Sequence, residues 1–177
     1  MPIPEGVRGR IINNDTMKKL LYFMLAALCM TACSGNTPTQ STTKGDYVDL
    51  GLPSGTKWKS ANEANGEFTR YSYDQAIFTF GDHLPTKEQF EELRSTCNWT
   101  WTGSGYKVVG PSGKSITLPA AGCRYCDGSV NGVGTYGSYW SSSPYGSEIA
   151  LSLYFDSGEV SMSYNHRCND QSVRLVR

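Results

Sequence analysis

Residue types able to do chemistry are few in this chain, and they gather late. The two histidines are His83, in the turn before Leu84-Pro85, and His166, inside the polar tract Tyr164-Asn165-His166-Arg167-Cys168-Asn169-Asp170. General-base work needs a histidine next to a nucleophile and an orienting group. No Ser or Cys beside His166 has such a partner, so His83 reads as a turn residue and His166 as a contact residue. Cys123-x-x-Cys126 with His166-x-Cys168 supplies four candidate ligands, the number a structural zinc requires. The same cysteines have two other uses: a disulfide among Cys123, Cys126 and Cys168 with one thiol left over, or no shared role. Glu88, Glu91 and Glu92 form the dense carboxylate group, with the spacing of a solvated helix face. None of these sets assembles an enzyme's nucleophile, carboxylate pair or metal. The residues therefore argue a non-enzymatic protein that needs no cofactor.

The elements that position these residues are readable from local pattern. Ser72-Tyr73-Asp74-Gln75 and Thr86-Lys87-Glu88-Gln89 both have the capping-box form, a hydroxyl residue followed three positions later by Glu or Gln. They predict one helix from about Tyr73 to Phe80, stopped by Gly81, and a second from about Lys87 to Thr96. The second should bury Phe90, Leu93 and Cys97 and turn Glu88, Glu91, Glu92 and Arg94 to water. Trp99 and Trp101 then alternate with polar residues, Gly103-Ser104-Gly105 turns, and Tyr106 to Val109 returns, which predicts a hairpin. Ser115 to Leu118 is a further strand after the Pro111-Ser112-Gly113 turn. Gly122 to Tyr139 reads as a long shaped loop, Tyr139 to Ser143 as a short strand, and Ser172 to Val176 as a closing strand with Val173 and Val176 or Leu175 inward.

Between these, Leu151, Leu153 and Phe155 alternate with Ser152, Tyr154 and Asp156, and Val160 and Met162 alternate with Ser161 and Ser163. Successive strand side chains point to opposite faces. The pattern predicts a half-buried hairpin around Asp156-Ser157-Gly158 whose outer face carries Ser, Tyr and Asp. Helices first and short antiparallel strands after argue an α+β domain. The net charge of +0 gives no reason to expect a nucleic-acid partner.

The N-terminal part has a different character. Read from Met17, Lys18-Lys19 precedes the apolar run Leu20 to Leu28, and Met30-Thr31-Ala32 precedes Cys33. These are the parts of an export signal, with an apolar run shorter than the about 20 residues a membrane-spanning helix needs. Small residues before Cys33 resemble a bacterial lipobox, which implies lipidation of Cys33 and membrane attachment through that lipid. Ser34 is not the Asp that favours inner-membrane retention, so the expected location is the outer membrane or cell surface. Residues 1–16 read as an upstream extension, 17–32 as the signal, 33–45 as a flexible tether without large apolar residues, and 46–177 as the folded domain.

Several separated motifs carry a family resemblance. Tyr47-Val48-Asp49-Leu50-Gly51-Leu52-Pro53-Ser54-Gly55-Thr56-Lys57-Trp58 resembles the opening of the Fibrobacter succinogenes major paralogous domain family, abundant in gut Bacteroidetes lipoproteins. Leu84 to Leu93, Leu118-Pro119-Ala120-Ala121-Gly122, Tyr139-Trp140-Ser141-Ser142-Ser143, Leu153-Tyr154-Phe155 and Ser172 to Arg177 resemble its later motifs in order. The segment from Ser60 to Arg70 is shorter than in many members. The family is similar to C-type-lectin-like folds, which implies two helices flanking twisted antiparallel strands and a long Gly-rich loop region that displays a binding surface. The calcium-binding tripeptide of sugar-binding C-type lectins is absent. Members also occur as targets of diversity-generating retroelements, whose adenine-directed rewriting turns Asn codons into Tyr, Ser, Asp, His, Gly, Cys, Arg or Ile but not Lys, Glu, Gln, Met or Trp. Cys123, Arg124, Tyr125, Cys126, Tyr145, Ile149, Ser152, Tyr154, Asp156, Ser161, Ser163, Tyr164, Asn165, His166, Cys168, Asn169 and Asp170 all fit that set, as does a β domain simply rich in Ser, Tyr, Asn and Gly.

The expected ligand-binding residues are Arg124, Tyr125, Asp127, Tyr145, Ser152, Tyr154, Asp156, Ser161, Ser163, Tyr164, Asn165, His166, Arg167, Asn169 and Asp170. Tyr gives large contact area at small entropic cost, and small polar residues adapt, which is why antibody paratopes favour this mixture. The expected ligand is a protein or a glycan. The competing expectation is a structural envelope or fimbria-like component using the same face against a partner subunit.

Overall fold

The computed structural model describes residues 46–64 and 69–177. The upstream extension, signal, tether and Cys33 lie outside the described residues. Among those described, no helix is long and apolar enough to cross a membrane.

Strand β1 (Tyr47–Asp49) pairs antiparallel with β2 (Lys57–Lys59). Two helices follow, α1 (Tyr73–Phe80) and α2 (Lys87–Thr96), and both capping boxes form. Ser72 and Thr86 accept from the Gln75 and Gln89 amides, while each Gln side chain accepts from the cap's own N–H. Two orphan donors per helix are thereby satisfied by contacts four residues wide, so these boundaries need no tertiary help. Phe90, Leu93 and Cys97 are buried as the helical spacing requires. Glu92 is not a free solvated carboxylate, because it accepts from both the amide and the hydroxyl of Ser54.

Strands β3 (Asn98–Trp101), β4 (Gly105–Val109) and β5 (Ser115–Pro119) form one antiparallel sheet. The stretch expected as loop between Gly122 and Tyr139 instead carries a small hairpin, β6 (Cys123–Arg124) with β7 (Val130–Asn131). Its glycines serve close approach: a Cβ on Gly132, at φ 75°, would fall inside the Tyr136 ring. The short strand expected at Tyr139 to Ser143 is the middle of β8 (Tyr136–Tyr145), bulged between Trp140 and Pro144. It joins β9 (Ile149–Asp156) and β10 (Val160–His166) in the order β10-β9-β8, so β10 is an edge. The mixed content of helices and antiparallel sheets makes this an α+β fold.

Two apolar clusters lie on opposite faces of the β8-β9-β10 sheet. Tyr139, Leu153 and Phe155 enter a core with Trp58, Phe90, Leu93, Val108 and Leu118. Trp140 and Ala150 enter a second with Tyr71, Tyr73, Ala76 and Val173. Both Tyr139 and Trp140 are therefore core. The expected closing strand is not continuous. Ser172 bridges Tyr139 in β8 and Val176 bridges Trp58 in β2, so the segment passes between layers and Val173, Leu175 and Val176 are all buried. Arg174 pins it there: Nε donates to Asn62 Oδ1 at 2.9 Å, and its two terminal nitrogens to the Lys59 and Thr117 carbonyls at 2.8 and 2.6 Å.

Candidate functional site

The β6-β7 hairpin and the tract after β10 meet through three kinds of bond. Arg124 and Asp170 exchange backbone hydrogen bonds at 3.0 and 2.7 Å. Their side chains form an ion pair, with Arg124 Nε donating to Asp170 Oδ2 at 2.7 Å. Cys126 and Cys168 form a disulfide, Cα atoms 5.2 Å apart. This resolves the cysteine alternatives. Zinc by Cys123, Cys126, His166 and Cys168 is overturned, because two of the three sulfurs in that set are bonded to each other. The Cys123 thiol is buried and lies 3.1 Å from the Tyr136 hydroxyl. Burial and that thiol push the Tyr136 phenol well above its ordinary range.

The joined segments wall an open cleft of about 450 Å³ lined by Tyr125, Cys126, Asp127, Tyr164, Asn165, His166 and Asn169. The Tyr125 amide donates to the Ser129 carbonyl at 2.8 Å, shaping the tip of the hairpin. Asp127 Oδ1 accepts from the Ser129 hydroxyl and amide at 2.6 and 2.9 Å. Those bonds, the hydroxyl's first, hold its carboxyl below the usual carboxylate range. On the opposite wall Asn165 Nδ2 donates to Ser152 Oγ at 2.8 Å, leaving Asn165 Oδ1 unused among the described residues. Asn169, only 6% exposed, sits beside the disulfide with Oδ1 3.2 Å from Cys126 Sγ. A disulfide sulfur carries no hydrogen, so that approach is a contact and not a hydrogen bond. Tyr145 and Tyr164 are 58% and 59% exposed, and their ring centroids are 4.6 Å apart, an aromatic pair at the rim.

The structure thus brings Tyr125, Asp127, Tyr164, Asn165, His166 and Asn169 together, with Tyr145 against them. The remaining expected site residues sort differently. Arg124 and Asp170 neutralise each other beneath the hairpin, and Asp170 is buried. Arg167 ties its own tract to α1 and to the β8-β9 turn: it pairs with Asp74 and lies 4.8 Å from the Tyr73 ring centroid, both in α1, and donates to the Ser147 carbonyl at 3.0 Å. Ser152 is fully buried, contrary to the outward position that alternation predicts. In register it lies between Trp140 and Ser163, so the face expected to meet water is covered where Trp140 packs in the second core. Tyr154, Asp156, Ser161 and Ser163 are half-buried, nearer the β9-β10 turn. There Tyr154 donates to Asp156 Oδ2 at 3.3 Å, and Asp156 Oδ1 caps the turn by accepting from Gly158 and Glu159 at 2.8 and 3.0 Å. Tyr136, absent from the expected set, stands 5.5 Å from Tyr154 between ring centroids and extends that aromatic face. Its even-numbered parity with Ser138 and Trp140 would have placed it there.

Among the described residues, no three His, Cys, Asp or Glu side chains converge as a metal site would require. His83 faces the Val176 carbonyl, with Nδ1 3.4 Å away, as a turn residue would.

A family model described as a domain of unknown function, DUF8237, matches residues 98–176. The match begins at β3 and contains every residue of the cleft. No curated protein and no solved structure matches the chain.

Proposed function

We propose that the protein is a lipid-anchored recognition protein of the outer membrane or cell surface, with a C-type-lectin-like domain that binds its ligand in the disulfide-framed cleft. It acts by contact rather than catalysis and uses neither cofactor nor nucleic acid. The observation that carries this reading is the cleft's lining: exposed aromatic rings and uncommitted amide groups converge from two segments, while the neighbouring arginines are already paired. The two capped helices and the paired residues Lys57 and Arg177, which exchange backbone bonds at 2.9 and 3.1 Å, support the lectin-like fold and the family resemblance.

Retroelement diversification of the exposed positions, among them Tyr125, Tyr145, Tyr164 and His166, belongs to the same proposal. Ser152, Cys123, Asn169 and Asp170 are buried and sit poorly with free variation. The flanking DNA then holds a reverse transcriptase and a near-identical repeat differing from this segment almost only at adenines; absence of the repeat removes diversification and leaves binding in place. For the binding role, the full chain in detergent is screened on glycan and peptide arrays beside a Tyr125→Ala, Asp127→Ala double variant. Loss of the wild-type signal in that variant supports the cleft, and retention moves the site elsewhere.

The second reading, an envelope assembly component, is favoured by β10. That edge of the sheet carries no paired strand among the described residues, and its sequence from Val160 to His166 has no Lys or Pro to block strand addition. Such a component would purify with a stoichiometric partner.

A further inference from the structure

The cleft's polar groups specify more than a contact surface, and what they specify rests on the recognition reading above. We propose that the ligand is a neutral sugar ring, seated against Tyr164 and Tyr145 and hydrogen-bonded through its hydroxyls to Asn169, Asn165 and Asp127.

Asn169 carries the argument. Its side chain is more than nine-tenths buried yet lines the cleft, and its amide nitrogen has no partner among the described residues. Its nitrogen borders the cleft, where a ligand group can bond it by displacing water. Oxygen and nitrogen of such an amide exchange places on a simple flip. With oxygen toward the disulfide, the cleft receives two N–H donors; flipped, it receives an acceptor. A hydroxyl both donates and accepts, so it satisfies Asn169 either way.

The other groups agree. Asn165 Oδ1 is free to accept, since its Nδ2 is spent on Ser152. The second oxygen of Asp127 is free while Ser129 holds the first. An acceptor amide and a carboxylate suit hydroxyl donors and repel anions. Arg124 and Arg167, the cations that could hold a phosphate or sulfate, are committed to Asp170 and Asp74. The paired rings of Tyr145 and Tyr164 offer the flat apolar surface that the C–H face of a pyranose covers.

The test uses the full chain in detergent on an array of neutral and anionic oligosaccharides together with a peptide library, followed by calorimetry with the best neutral oligosaccharide. Neutral glycans are expected to bind. Tyr164→Ala should weaken them about tenfold or more, as truncation of an aromatic anchor does, while Tyr164→Trp retains binding. Asn169→Ala should also weaken binding; because that side chain is buried, the exposed pair Tyr164→Ala and Tyr145→Ala decides if it fails to fold. Binding confined to anionic glycans overturns the inference, as does neutral-glycan binding untouched by either tyrosine variant. Peptide binding lost in Tyr164→Ala overturns the sugar and leaves the recognition reading standing. No binding in either library overturns both.

Discussion

Around Leu118 and Phe155 the chain is held by apolar contact, while around Asn169 it is held by a disulfide, an ion pair and hydrogen bonds. The first region gathers Trp58, Phe90, Leu93, Val108 and Tyr139 in one dry cluster, where each buried side chain contributes about 1.5–3 kcal/mol. The second exposes its rings and leaves Arg124 nearly half exposed at the ion pair, where such pairs contribute about 0–1 kcal/mol. Apolar packing cannot be used where a surface must stay open to a ligand. Covalent and polar ties replace it, fixing backbone position without filling the space above.

The comparison can be broken at either end. Phe155→Ala should have the largest effect, destabilising by about 3–5 kcal/mol in urea unfolding, whereas Tyr164→Ala, at an exposed ring, should stay within about 0.5 kcal/mol. Equal losses would erase the distinction between frame and display. Next in size, replacing both Cys126 and Cys168 by Ala removes a cross-link between positions 42 residues apart, costing about 2–4 kcal/mol. Amide exchange should accelerate chiefly over 123–131, with β4 and β5 little changed; uniform acceleration would show that the disulfide supports the frame. In native alkylation mapped by mass spectrometry, Cys97 should stay unmodified, since burial pushes its thiol up to about 11. Smallest is an acid effect. Hydrogen bonds to backbone amides, Gly158 first, hold Asp156 below its ordinary 3.8, and Ser129 does the same for Asp127. A lowered folded value stabilises above the unfolded one and is lost as pH falls through the folded one. The melting temperature of the wild type should therefore drop below about pH 4 more steeply than that of Asp156→Asn.

Legibility followed the range of the interactions. Both helices were readable to the residue because Ser72 with Gln75, and Thr86 with Gln89, complete their caps locally. The β3-β4 hairpin was readable for the same reason. Alternation in β9 correctly turned Leu153 and Phe155 inward, but it assumed that the other face meets water. Trp140, one strand away, decides otherwise for Ser152, and no pattern within β9 reports it. The tract from Tyr164 to Asp170 was recognisable as rich in contact groups, and six of the fifteen residues expected to bind do line one cleft. Its two charged members closest to the hairpin and α1 were misread, since Arg167 finds Asp74 at a separation of 93 residues and Asp170 finds Arg124 at 46. The disulfide was narrowed to three cysteines and fixed as Cys126 with Cys168 only by the meeting of the two segments.

The prior commitment of both arginines also bears on how fast a ligand arrives. Long-range steering needs an unbalanced field, and here the nearby cations are cancelled at contact distance by Asp170 and Asp74. Capture should then proceed at the unsteered rate for a docking patch, about 10⁵–10⁷ M⁻¹s⁻¹, and remain nearly constant as ionic strength rises. A recognition cleft of the proposed kind would work equally well in dilute and in saline surroundings.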